Sequence, residues 1–313
     1  MRAVDPKSIL STYSQLPSVS LVMKKLILLI FLGAAFVAAP TNAGLFSFTT
    51  GSPDGKMATA SRLDSPGKFE IESADDFVLT SAISVTSATF TGLLPAGATI
   101  GEVQVEIYRV FPNDSNVNRT SGPPTFSTSQ VPTRVNSPAD VAFADRDSGS
   151  GKLTFTTALL NTQFTALNSV LNGINPMPNQ TTGGEGPITG QEIRFNVDFT
   201  TPFLLPKDHY FFIPQVELAG TDNFFWLSAT RPLVPPSTVF APDLQSWIRN
   251  ANLDPDWLRI GADIVGPNPA TAPTFNGAFS VTGLVVPDSG TTAALLGLAL
   301  AGVAVLRRKL RAS

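Results

Sequence analysis

Gly101-Glu102-Val103-Gln104-Val105-Glu106-Ile107-Tyr108-Arg109-Val110-Phe111 alternates apolar and polar side chains over most of its length. Successive side chains of an extended chain point to opposite faces. Val103, Val105 and Ile107 therefore belong to one face, and Gln104, Glu106 and Tyr108 to the other. The pattern is that of a half-buried strand, and the neighbouring segments repeat it. Ile83–Thr91 alternates through Ile83, Val85, Ala88 and Phe90, and Phe69–Leu79 ends on Phe77-Val78-Leu79. Leu93 to Ala98 carries a Pro-X-Gly turn and reads as a loop. Further strands are expected at Lys152–Thr157, Glu192–Phe199, His209–Leu218, Phe224–Ser228 and Thr274–Thr282. Short strands punctuated by Gly and Pro predict a mainly β fold, a β-sandwich of which the jelly roll is one form.

Two segments carry a helical period instead. Leu159–Leu171 spaces Leu160, Phe164, Leu167 and Leu171 at near-helical intervals and stops at Asn172-Gly173. Asp243–Leu253 places Leu244, Trp247 and Ile248 at i, i+3 and i+4 behind Asp243, a residue suited to a helix N-terminus. Both predict short helices covering the sandwich. Asn113–Asp140 and Asn175–Gly190 read as long loops, and Gly266–Pro273 as a stiff extended segment.

The chain ends are different in kind from this central region, residues 44–283. Met23-Lys24-Lys25 opens a charged start, Leu26–Ala39 is apolar, and Thr41-Asn42-Ala43 puts small residues before Gly44. Residues 23–43 thus have the layout of a secretory signal peptide, with signal peptidase cutting between Ala43 and Gly44. Residues 1–22 lack that pattern. They are read as lying upstream of the true start at Met23, the alternative being a long n-region. The other end, residues 284–313, holds Val286-Pro287-Asp288-Ser289-Gly290, then an apolar stretch at 291–306, then a basic stop at 307–313 built on Arg307, Arg308, Lys309 and Arg311. As a helix, the 16 residues from Thr291 to Leu306 would span about 24 Å. That is somewhat less than the roughly 30 Å hydrocarbon core, a gap that snorkelling arginines or local thinning would close. A transmembrane helix is expected there.

Motif, apolar stretch and basic stop, in that order, resemble the VPDSG-type sorting signal, a relative of the PEP-CTERM signals of Gram-negative bacteria. The resemblance implies processing by an exosortase. It also implies passage through the inner membrane to the cell surface or the extracellular polysaccharide matrix. The central region resembles an uncharacterised β-rich domain that recurs with such tails. That likeness is carried by Ser73-Ala74-Asp75-Asp76-Phe77-Val78-Leu79, Val105-Glu106-Ile107-Tyr108-Arg109-Val110-Phe111-Pro112 and Leu205-Pro206-Lys207-Asp208-His209-Tyr210-Phe211, and implies no catalytic residues.

Charge agrees with export. Between Gly44 and Val286 there are 13 Lys and Arg against 22 Asp and Glu, a net −9, while the whole chain is −3. The basic excess sits at the termini, as the positive-inside rule requires of cytoplasmic ends. An acidic domain excludes nucleic acid as an expected partner. Cysteine is absent, which excludes disulfides and thiol catalysis.

Chemistry is sparse. His209, the only histidine, stands beside Asp208, but adjacent strand residues face opposite ways and no Gly-X-Ser-X-Gly elbow accompanies them. Gly183-Gly184-Glu185-Gly186 lacks the Lys-Ser/Thr of a phosphate loop. Asp75-Asp76, Asp145 with Asp147, and Asp254 with Asp256 are candidate oxygen ligands for Ca²⁺, though turn and cap chemistry explains the same residues. Trp257 with Asp254 and Asp256 is a candidate carbohydrate contact. The expectation is a non-enzymatic exported protein without a resident cofactor, structural or adhesive in role. The alternatives are a carbohydrate-binding module of the exopolysaccharide matrix and an extracellular hydrolase.

Overall fold

The computed structural model describes residues 44–118, 135–174, 181–231, 238–266 and 272–287, with residues 297, 300, 302–304, 307–308 and 310–311 of the tail. Ala43–Val286 forms one compact unit. Its strands, in chain order, are β1 (Leu45–Thr49), β2 (Pro53–Ala60), β3 (Ile71–Val78), β4 (Ile83–Leu94), β5 (Ile100–Arg109), β6 (Ala144–Asp147), β7 (Leu153–Ala166), β8 (Asn168–Val170), β9 (Ile188–Leu205), β10 (His209–Leu218), β11 (Phe225–Ala229), β12 (Trp247–Asn250), β13 (Leu258–Arg259), β14 (Asn276–Gly277) and β15 (Phe279–Val285).

Two sheets result. One has nine strands, with β1-β15-β4-β11-β2-β8 as its path, β9 on β4, β7 on β9, and β14 on β11. The other runs β13-β12-β3-β10-β5-β6. All ladders are antiparallel except the short β2–β8 pair. The largest apolar cluster draws Phe90, Phe195, Trp226 and Phe279 from the first sheet and Phe77, Val105, Tyr210 and Phe212 from the second. Both sheets thus contribute one face to a shared core, consistent with a β-sandwich. Nine and six strands exceed the eight of a simple jelly roll. On β5, Val103, Val105 and Ile107 enter this core, as the alternation requires. The opposite face of the six-stranded sheet is itself covered, with Tyr108, Phe211, Ile213, Trp247 and Trp257 clustered on it.

Neither expected helix forms. Leu159–Leu171 is the end of β7 followed by β8. β7 pairs with β9 through register shifts between Leu159 and Asn161 and again before Phe164. These bulges shift the phase of the side-chain alternation, so apolar residues fall three or four apart within a strand. Five threonines in β7 favour the extended chain. Asp243–Leu253 is likewise extended or turned. Its centre is β12, with Trp247 opposite Ala74 and Arg249 opposite Glu72. Asp243 caps a turn rather than a helix, its Oδ1 accepting from the Gln245 amide at 2.9 Å. Trp247 and Ile248 are both buried, because both faces of β12 are covered. Among the described residues, the helical element inside the domain is a π-helical segment at Ile260–Val265. β4 also continues through Leu94, inside the segment expected to be a loop.

Residues 1–43, including the expected signal peptide and Ala43, lie outside the described residues. So do Asp288 to Gly290 of the motif, Lys309, and most of the expected transmembrane helix. The described tail residues are helical. Among the described residues, no helix is long and apolar enough to cross a membrane.

Candidate functional site

The first site is where the domain hands the chain to its tail. β15 lies between β1 and β4, with Leu284 opposite Leu45 on one side and opposite Ser84 on the other. β4 carries an extra residue opposite Thr282 and Gly283. A Cβ on Gly283 would stand 2.4 Å from the Ser84 carbonyl oxygen, so only glycine lets the two backbones approach. Beyond β15, the Val285 amide donates to the Gly44 carbonyl at 2.7 Å, and the Val286 amide to the Ala82 carbonyl at 2.9 Å. Pro287 has no amide hydrogen, and the ladder ends. Val286 and Pro287 are exposed. Gly44 and Val285 are hydrogen-bonded neighbours, so both ends of the domain leave from the same end of the same sheet, on adjacent strands.

Residues 285–310 match the VPDSG-CTERM motif. No curated protein and no solved structure matches the chain. The VPDSG-CTERM segment begins on the last residue of β15, so the folded domain and the sorting signal abut without a linker. The chain therefore carries the exosortase-type sorting signal of an exported protein, C-terminal to a β-rich domain. Arg307, Arg308 and Arg311 fall on described helical residues and are exposed.

Within the domain, the charged candidates are drawn into buried clusters. Asp75 and Asp76 of β3 are 0% exposed. The cation between them is Arg231, which lies 3.0 Å from Asp75 Oδ2 and from Asp76 Oδ1, and 3.3 Å from Asp243 Oδ1. It also donates to the Asp76 carbonyl. The Leu244 amide donates to Asp76 at 2.9 Å, and His209 Nε2 lies 2.7 Å from Asp76 Oδ2. Burial raises the Asp75 carboxyl well above its ordinary range, although Arg231 opposes the rise. Burial opposes the charge on Arg231, but Asp75, Asp76 and Asp243 outweigh it and hold the guanidinium protonated.

A second cluster crosses β12, β3 and β5. Arg249 pairs with Glu72 directly across the strand pair. It donates to the Tyr108 hydroxyl at 2.9 Å and lies 2.6 Å from Asp254 Oδ1. Tyr108 donates to Glu72 at 3.0 Å. Gln104 donates to Glu106 at 2.8 Å. Burial first, then the charge of Glu72, pushes Glu106 up to about 9. The same two causes raise the Tyr108 phenol. The guanidinium of Arg249 sits 4.4 Å over the Trp257 ring.

These placements revise the binding candidates. Trp257 is 1% exposed and donates through Nε1 to the Ala139 carbonyl at 3.2 Å. It has no open face for a sugar, because Tyr108 and Arg249 cover it. Asp256 is buried as well, and Asp254 is engaged by Arg249. Asp145 and Asp147 share Lys152, at 3.0 and 3.5 Å. Asp147 also accepts from the Ser150 hydroxyl at 2.7 Å, closing a turn. Among the described residues, no group of three or more His, Asp or Glu is arranged to hold a metal ion. Arg231 engages Asp75 and Asp76, Lys152 engages Asp145 and Asp147, and Arg249 engages Asp254. Sequence reading missed Arg231, Arg249, Glu72 and Glu106. The available signal was charge within otherwise apolar strands, such as Trp247-Ile248-Arg249.

Proposed function

We propose that the protein is a non-enzymatic exported component of the cell surface or extracellular matrix, structural or adhesive in role. Its domain is delivered by an N-terminal signal peptide and then sorted by an exosortase acting on the tail. The carrying observation is the VPDSG-CTERM match placed directly after β15. The shared exit at one end of the sheet supports the same reading. The neighbouring positions of Gly44 and Val285 are compatible with a signal peptide before Gly44 and a membrane helix after Gly290. The burial of Trp226, Trp247 and Trp257 favours a structural role over a carbohydrate-binding one.

Cell fractionation in a strain lacking the exosortase tests this. Full-length chain should accumulate in the inner membrane and disappear from the surface fraction. Unchanged surface delivery of a shortened chain would refute the sorting role.

A further inference from the structure

We propose that a row of exposed leucines at the exit end of the nine-stranded sheet docks on the surface of a phospholipid bilayer, the one its own tail enters. The inference rests on the proposed reading of residues 291–306 as a membrane helix. Directly opposed residues of an antiparallel ladder share a face. Leu45 is opposite Leu284, Leu284 opposite Ser84, and Ser84 opposite Leu204. One row therefore crosses β1, β15, β4 and β9. Leu45 is 75% exposed, Leu284 44% and Leu204 55%.

Single exposed leucines are ordinary, but three in register form a strip. The rows behind it on the same face are polar throughout. The first is Ser47, Thr282, Ser87 and Asp198, and the second Thr49, Ser280, Thr89 and Asn196. Apolar character on these strands is thus confined to the rim where the tail leaves. Val286, two residues beyond Leu284, is exposed there as well. So is Lys207, in the turn between β9 and β10 at the same end, a cation suited to anionic headgroups. The adjacent Asp208 faces Arg109 at 3.8 Å.

The occupant follows from chain length. Pro287–Gly290, four residues, separate the end of the ladder from the apolar stretch at Thr291, and four residues reach at most about 14 Å. The headgroup layer takes up about 5–8 Å on each side of the hydrocarbon core. With the tail inserted, the rim is therefore held close to the headgroups. Leu159, Leu160 and Leu167 are also exposed, but they belong to the opposite end of the sheet, where Leu159 faces Ile193 and Ile193 faces Gly92. Three leucines bind a bilayer weakly on their own, as even one myristoyl chain does. The short tether makes the contact intramolecular and raises its effective concentration. Cutting the tail removes that advantage, so the row holds the domain at the membrane before processing and releases it afterwards.

The absence of cysteine lets one introduced cysteine carry a fluorophore. Ser84→Cys lies within the row, and Thr49→Cys lies on the same face about 13 Å farther from the rim. The chain from Gly44 to Ser313 is reconstituted into phosphatidylethanolamine–phosphatidylglycerol vesicles bearing a headgroup-level quencher. The label at Ser84→Cys should be quenched several-fold more than the label at Thr49→Cys. Adding Leu45→Ser and Leu204→Ser, both exposed changes, should bring the two labels level. Equal quenching with the row intact overturns the proposal, and so does preferential quenching that survives both serines. Energy transfer between copies in place of lipid quenching would assign the row to self-association and overturn it too. A chain that fails to float with the vesicles would overturn the tail reading and the docking with it, whereas flotation without preferential quenching overturns the docking alone.

Discussion

Replacing Arg231 with methionine removes the cation from a site holding two fully buried carboxylates. Asp75 and Asp76 are each 0% exposed and each lies 3.0 Å from the guanidinium. Breaking a buried pair from one side costs about 3–5 kcal/mol, because the remaining charge is left without compensation. At about 2–4 °C per kcal/mol for a domain of this size, the melting temperature should fall by roughly 6–20 °C. The loss has a definite pH dependence. Burial already raises the folded-state pKa of Asp75, and Arg231 is the leading influence holding it down. Without Arg231 the folded pKa rises further above the unfolded value. The stability of the variant is then fullest below the unfolded carboxylate range and declines as pH rises through the new folded pKa. The gap between variant and parent should be wide at about pH 8 and narrow toward about pH 4, where Asp75, raised by burial, is neutral. Urea denaturation of residues 44–286 at both pH values measures it. A loss under about 1 kcal/mol, the ordinary range of a surface pair, would refute the reasoning, and so would a loss that does not change with pH.

Glu106 is raised to about 9 from 4.5, so its stabilising neutral form is fully present below the unfolded value and is lost as pH climbs toward 9. Glu106→Gln keeps a neutral amide in that place. It should be more stable than the parent at about pH 8, with the difference closing as pH falls to the ordinary carboxylate range; thermal melts across that range decide it. Trp257→Ala should cost about 3–5 kcal/mol by urea unfolding, as for other buried aromatic truncations, whereas a near-neutral result would mean that the ring is not in the core.

Period-two alternation made the centre of the fold legible. His209–Leu218 is a strand over the expected span, and the two faces of β5 are assigned correctly. Where bulges interrupt β7, the same rule misleads, because a phase slip in a strand resembles the spacing of a helix. β12 misled differently, its apolar residues being buried on both faces. β2 was invisible, since Pro53-Asp54-Gly55-Lys56 reads as a turn and its cue is only the small residues that follow. The VPDSG-CTERM motif was legible, because its residues are contiguous in the sequence. The charge clusters were not, because Arg231 finds Asp75 across 156 positions and Arg249 finds Glu72 across 177. Only topology brings such pairs together.

Those separations bear on how the domain specifies one structure without disulfides. β12 pairs with β3 over four residues only, too short a ladder for apolar pattern to fix its register firmly. Arg249 and Glu72 are direct register partners. A slip of one residue would send Arg249 to the opposite face, and a slip of two would separate the charges. Either leaves two charges buried and unpaired, at about 3–5 kcal/mol. That is a large share of the roughly 5–15 kcal/mol stability of an ordinary domain. The ion pair need add little net stability to act this way, since its value lies in the penalty on every other register. Arg231 does the same for the segment after β11, which it anchors to Asp75, Asp76 and Asp243 at once. A domain with no cysteine to lock it gains from pairings whose wrong alternatives are costly.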